Sequence, residues 1–140
     1  MQYILILGDG NFSFSKSLIH TLDKPGYNDK SHVVATSFDS KIEVLRKYPE
    51  AMSNFSSMKR ARTSSTVVHG VDATQSLSSV SSVTPIYNYI IFNFPHLGVE
   101  DCNRHASMIG HILYRVKEVL ADTGVFYLTL ADEQPQNWRV

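Results

Sequence analysis

A chain of 140 residues, 43% of them hydrophobic, suits one domain with a core and carries no composition that marks a membrane protein. Thirteen Lys and Arg balance thirteen Asp and Glu, so the chain as a whole has no field to draw polyanions, and any nucleic-acid contact must come from a local patch. The lone Cys102 excludes an internal disulfide framework and a Cys-rich zinc site. The longest apolar run, Tyr3 to Leu7, is far shorter than the roughly 20 residues that span a bilayer, and no signal-peptide pattern follows it. The expectation is a soluble, intracellular protein.

The first predicted element is a strand from Tyr3 to Leu7, unpatterned and aliphatic, as a central parallel strand should be. It breaks into Gly8-Asp9-Gly10, after which Phe14, Leu18 and Leu22 recur at helical spacing and predict a helix from about Phe12 to before Pro25. His32 to Phe38 reads as the second strand, closed by Asp39. Ser40 and Glu43 form a capping-box pattern that starts a helix at Lys41, with Ile42 and Leu45 turned inward until Pro49. Ala51, Phe55 and Met58 continue a helical stripe that ends in the basic residues Lys59, Arg60 and Arg62. Thr66 to Val71 is a third strand ahead of Asp72. The Ser-rich stretch from Ser76 to Ser82 predicts a poor helix or a loop. Tyr89 to Phe92 makes a fourth strand, ended by Pro95. Ala106, Ile109, Leu113, Val116 and Leu120 give the strongest helical period, with Gly124 placed as its C-terminal cap, and Val125 to Leu130 is the fifth strand.

Strands alternating with helices predict an α/β fold with a mainly parallel sheet and helices on both faces. Such sheets bind ligands beyond the carboxyl ends of their strands, where strand order reverses. Every polar motif lies at a carboxyl end: Gly8, Asp9, Gly10 and Asn11 after strand one, Asp39 after strand two, Asp72 after strand three, and Asn93, Phe94, Pro95 and His96 after strand four. The loop matches the first two glycines of a dinucleotide fingerprint, but Ser13 stands at the third position. An acid between the glycines repels a pyrophosphate and suits a nucleoside ligand bearing an amino group and a sulfonium, as in S-adenosylmethionine.

Asp39 can accept from two ribose hydroxyls or serve as a turn acid ahead of the Ser40 helix, and Asp72 can take an adenine amino group or close an Asx turn. Asn93 to His96 can hold a planar base against an apolar ring, or simply end a strand. The six histidines show no zinc spacing, so no metal site is expected. Lys59, Arg60 and Arg62, with Lys41, Arg46 and Lys47, read first as solvated helix faces that also suit phosphates.

The run Ile4 to Ser15, then Ala35 to Ser40, Lys47-Tyr48-Pro49, Gly70 to Thr74, and Ile90 to Gly98 resembles the Rossmann-like domain of eukaryotic ribosomal RNA uridine-N3 methyltransferases, a domain also found fused to a ferredoxin-fold anticodon-binding module. The resemblance spans most of the chain in consistent order. It implies a class I S-adenosylmethionine-dependent enzyme acting on RNA in the nucleolus, with the cytoplasm as the alternative location.

On matching positions it implies that Gly8, Asp9, Gly10 and Asn11 hold the methionine end of the cofactor, Asp39 the ribose and Asp72 the adenine, while Asn93, Pro95 and His96 form the catalytic, acceptor side. The implied reaction is in-line methyl transfer to uridine N3, with His96 or Asp9 assisting loss of the N3 proton. The family sheet normally carries two further strands, so residues 1–140 are expected as a single domain incomplete at its C-terminus. Its sheet edge is then open to a covering partner. The alternative function is a non-catalytic module that binds nucleoside or RNA; a nicotinamide-dependent oxidoreductase is disfavoured by Asp9 and Ser13.

Overall fold

The computed structural model describes residues 1–27, 30–95 and 102–130. Over these, the chain runs β1 (Gln2–Leu7), α1 (Ser13–Leu22), β2 (Ser31–Thr36), α2 (Lys41–Lys47), α3 (Ala51–Arg60), β3 (Ser64–Val68), α4 (Ser78–Ser81), β4 (Tyr87–Asn93), α5 (Cys102–Val119) and β5 (Leu120–Thr129). The strands of the described residues form one five-stranded sheet in the order β3-β2-β1-β4-β5, with every pairing parallel. This is the Rossmann-like α/β arrangement. After β3 the chain returns across the sheet to lay β4 on the far side of β1, so strand order reverses between β1 and β4.

The aliphatic run of β1 is explained by its central place. Side chains alternate between faces, and each face meets a helical layer. Leu5 and Leu7 join Val34 and Ile90 in a core closed by Val80 of α4 and by Met108, Ile112 and Val116 of α5. Ile4 and Ile6 join Val33 and Ala35 in a second core closed by Ile19 of α1, Val44 of α2, and Ala51 and Met58 of α3. A strand buried on both sides leaves no position for a polar residue.

Helix phase departs from the sequence reading in three places. On α1 the inward row is Ser15 and Ile19, while Phe14 is exposed, because Ser15 bonds into the glycine loop and turns the helix accordingly. On α2 Val44 is buried and Ile42 is 77% exposed. On α5 the buried row is Met108, Ile112, Val116 and Val119: Val116 keeps its predicted place, Ile109 and Leu120 pack at the edge of the core, and Leu113 faces outward. Neighbouring rows on a helix repeat at similar three- and four-residue steps, so period alone does not choose between them, and the sheet does.

Strand ends also differ from the sequence reading, β2 closing at Thr36 before Phe38 and β3 at Val68 before Val71. β3 begins at Ser64, earlier than predicted, because His32 on β2 bridges Ser64 Oγ and Thr66 Oγ1, each at 2.8 Å. Gly124 is not a helix cap: α5 runs straight into β5, and Gly124 lies in the irregular stretch between the pairs Tyr87–Leu120 and Tyr89–Val125. A β-carbon there would come within 3.0 Å of the Asn88 carbonyl oxygen, so the close strand approach requires glycine. The Ser-rich stretch forms only the single turn of α4, held by Leu77, Val80 and the Tyr87 hydroxyl, which donates to the Val80 carbonyl at 2.7 Å. At the β5 edge, Val125 and Tyr127 are exposed. Among the described residues no helix is long and apolar enough to cross a membrane.

Candidate functional site

The strand–loop–helix at the start of the chain is shaped by Asp9. Gly8 takes φ +65°, and a β-carbon on it would meet the Phe92 ring at 2.7 Å, so both dihedral and space demand glycine. Phe12 follows in the left-handed region at φ 68° and is fully buried. Asp9 stabilises this turn from inside: Oδ1 accepts from the Phe12 amide at 3.1 Å, and Oδ2 accepts from the Ser15 amide at 2.8 Å and the Ser15 hydroxyl at 2.6 Å. Its carboxylate thus caps the positive end of α1. The Ser13 amide donates to Asn11 Oδ1 at 3.0 Å, so three amides at this helix start are already satisfied internally. A phosphate-binding helix terminus needs those donors free.

Asn11 also ties the loop to the neighbouring helices. Its Nδ2 donates to Glu50 Oε1 at 3.0 Å, and its carbonyl accepts from Asn54 Nδ2 at 2.9 Å. The Asn11 contact draws the Glu50 carboxyl below its ordinary value. Gly10 lies beneath Tyr48, whose hydroxyl would stand 3.1 Å from any β-carbon placed there.

Asp39 follows β2 with its carboxylate about a quarter exposed, and Lys47 Nζ reaches its Oδ2 at 3.0 Å. The contact raises the Lys47 pKa. The Asp39 carbonyl is held by the Gly70 amide at 3.0 Å and by Ser37 Oγ at 2.7 Å. Since Ser37 spends its hydroxyl proton on that carbonyl, the 2.7 Å contact with His69 Nδ1 is one in which the imidazole donates. His69 is a residue that sequence reasoning missed. It packs edge-on against Phe12 and Phe55 with centroids 5.6 and 5.8 Å away, linking the glycine loop to the Asp39 turn. Burial, aided by Lys41, lowers its pKa and keeps it neutral near pH 7.

Asp72 adopts the Asx turn: Oδ1 accepts from the Thr74 amide at 2.9 Å and the Thr74 hydroxyl at 2.6 Å. Asn93 is the last residue of β4, paired with Thr129. Phe94 then enters the left-handed region at φ 54°, anchored by its amide on the Thr129 carbonyl at 2.8 Å, and Pro95 is buried. A non-glycine residue held at positive φ stores strain, which collects at ligand sites. His96 lies outside the described residues.

A cavity of about 390 Å3 opens at this strand-order reversal. Of the predicted residues it gathers Gly8, Asp72 and Pro95; Asp9, Gly10, Asn11, Asp39 and Asn93 do not line it. Phe38 and Phe94, 66% and 58% exposed, present rings to it, and Met108 and Ile112 of α5 close its floor. A mainly apolar chamber with two unburied rings and one acid suits a planar, partly polar ligand of small-molecule size. Among the described residues no group of three or more His, Cys, Asp or Glu is placed to hold a metal ion.

The family model described as rRNA (uridine-N3-)-methyltransferase BTM5-like matches residues 5–140. The chain is 39% identical over 106 residues to heavy metal-associated isoprenylated plant protein 41 of Arabidopsis thaliana, a match covering 76% of this chain and 19% of that protein. It is 31% identical over 148 residues to the Arabidopsis thaliana protein At4g26485, covering 98% of this chain and 67% of the relative. It is 32% identical over 145 residues to the Mus musculus homolog of ferredoxin-fold anticodon-binding domain-containing protein 1, covering 96% of this chain and 22% of the relative. The chain thus spans about a fifth of the length of two of these relatives and two thirds of the third. No solved structure matches it at a significant level. The chain belongs to the BMT5-like family of rRNA (uridine-N3-)-methyltransferase-like proteins.

Proposed function

We propose that the chain is a Rossmann-like methyltransferase domain that binds S-adenosylmethionine in the cavity between β1 and β4 and methylates uridine N3 of large-subunit ribosomal RNA in the nucleolus. The observation that carries this reading is the cavity itself: about 390 Å3, opened by Gly8, flanked by Phe38 and Phe94, and lined by Asp72. The satisfied amides at the start of α1 favour a ligand without phosphate there. S-adenosylmethionine supplies an electrophilic methyl group when bound.

The chain's own residues divide the remaining work. Gly8 opens the cavity to the methionine end, Gly10 lets the loop pass beneath Tyr48, and Asp9 and Asn11 hold the loop in that shape. Asp39 offers carboxylate oxygens to ribose hydroxyls, exchanging the Lys47 contact for them. Asp72, with Oδ1 used by Thr74, has Oδ2 for an adenine amino group, and Phe38 supports the ring. Asn93 and Pro95 position the acceptor uridine, which must leave its stack to enter. Asp9 has both oxygens engaged, so the N3 proton falls to His96, the residue after Pro95.

The test is incubation of the chain with S-adenosylmethionine and large-subunit ribosomal RNA, followed by nucleoside mass spectrometry. Appearance of N3-methyluridine, abolished by His96→Ala, is expected. Cofactor binding without any N3-methyluridine contradicts the enzyme and favours a nucleoside-binding module.

A further inference from the structure

The opposite pole of the sheet carries a second cavity, about 480 Å3, at the amino ends of β1, β2 and β3. One wall is the connection from α1 to β2, which contributes Lys24, Tyr27 and Lys30; the other is the connection from α3 to β3, which contributes Arg62. Lys59 and Arg60 lie just before Arg62 at the end of α3, and all five cations are exposed. In a chain with balanced charge this gathers more than a third of its thirteen basic residues at one place.

Asp23 is the acid among the lining residues described. Its carboxylate is engaged in joining the two walls: Oδ2 accepts from the Arg62 amide at 2.9 Å, and Oδ1 accepts from the Thr63 amide at 2.8 Å and from the Thr63 hydroxyl. The Arg62 guanidinium also donates to the Asp23 carbonyl. The cations therefore stand on a braced frame. Tyr27 is 57% exposed beside them, an aromatic face with no core to fill.

A basic groove with an unburied aromatic ring is the combination that holds single-stranded nucleic acid, the cations tracking phosphates and the ring stacking a base. We propose that this cleft docks a single-stranded segment of RNA, with backbone phosphates on Lys24, Lys30 and Arg62, extended by Lys59 and Arg60, and a base on Tyr27. The RNA class rests on the function proposed above; the site does not. Six residues of β1 at about 3.3 Å each put it roughly 20 Å from the cofactor cavity, so it is a separate contact on the same substrate and not an arm of the active site.

The test is fluorescence anisotropy of a short labelled oligouridylate with the full chain at several KCl concentrations, without cofactor. Wild-type binding should weaken with salt, and Lys24→Gln with Lys30→Gln should make the log–log slope shallower by about 1.4, at about 0.7 for each phosphate left without its lysine. Tyr27→Ala should weaken binding about tenfold. All three substitutions fall on exposed side chains, and unchanged thermal unfolding checks that the fold persists. Wild-type affinity and slope in the double variant would overturn the proposal. So would equal loss of polyglutamate binding with no Tyr27→Ala effect, which assigns the cleft to an acidic protein instead. Failure of the chain to bind S-adenosylhomocysteine strikes the cofactor site alone and leaves this readout intact.

Discussion

Asp9 sits where a ligand-facing acid was expected, yet its oxygens are spent on Phe12 and Ser15. Asp9→Ala should therefore cost about 2 kcal/mol of stability, the scale of a missing helix cap, and Asp9→Asn less, read as urea midpoints. Gly8→Ala combines positive φ with the 2.7 Å approach to Phe92, and should cost about 1–3 kcal/mol while closing the cavity to ligand. His32 and His69 are both held below the ordinary imidazole value of 6.5 by burial, with Lys41 adding to the effect at His69. The folded chain therefore keeps them neutral, while the unfolded chain takes up protons as pH falls through 6.5. Their contribution is complete above that pH and fades below it, towards the folded values. Urea midpoints on either side should show the fall, and His32→Gln with His69→Gln should flatten it. Asp23, lowered chiefly by the Thr63 hydroxyl, adds a separate loss only as pH drops through 3.8.

At the level of elements, strand positions and the α3 stripe of Ala51, Phe55 and Met58 were legible, while the phases of α2 and α5 were legible only in part. β1 announces itself because its run Ile4 to Leu7 is buried on both faces and has no polar position to spare, and β4 does so by the apolar run Tyr89 to Phe92 between Asn88 and Asn93. On α2 and α5 the sheet selects among neighbouring helical rows, and nothing local distinguishes Ile42 from Val44. β3 hid its first residues because Ser64 and Ser65 pair through backbone while His32 supplies the side-chain contacts from another strand. The weak segment α4 is anchored by one buried hydroxyl, so Tyr87→Phe should cost about 1 kcal/mol and loosen hydrogen exchange around Ser78–Ser81 before the rest of the sheet.

Across the whole molecule, Gly8, Asp72 and Pro95 line one cavity at the carboxyl ends of the strands, while Asp9, Gly10, Asn11, Asp39 and Asn93 do not. What sequence could not supply were partners made by tertiary register: Phe38, read as a strand residue, stands exposed at the cavity, and His69 reaches Ser37 across two strands. The basic residues at the far pole come from separate segments, so no single run of sequence revealed their cleft. The central claim is a nucleoside cofactor without a pyrophosphate held between β1 and β4. Isothermal titration calorimetry of the chain with S-adenosylhomocysteine and with NAD tests it most directly. The expected result is binding of S-adenosylhomocysteine alone, weakened about tenfold by Phe38→Ala through removal of the supporting ring; binding of neither ligand, or of NAD in preference, would contradict it.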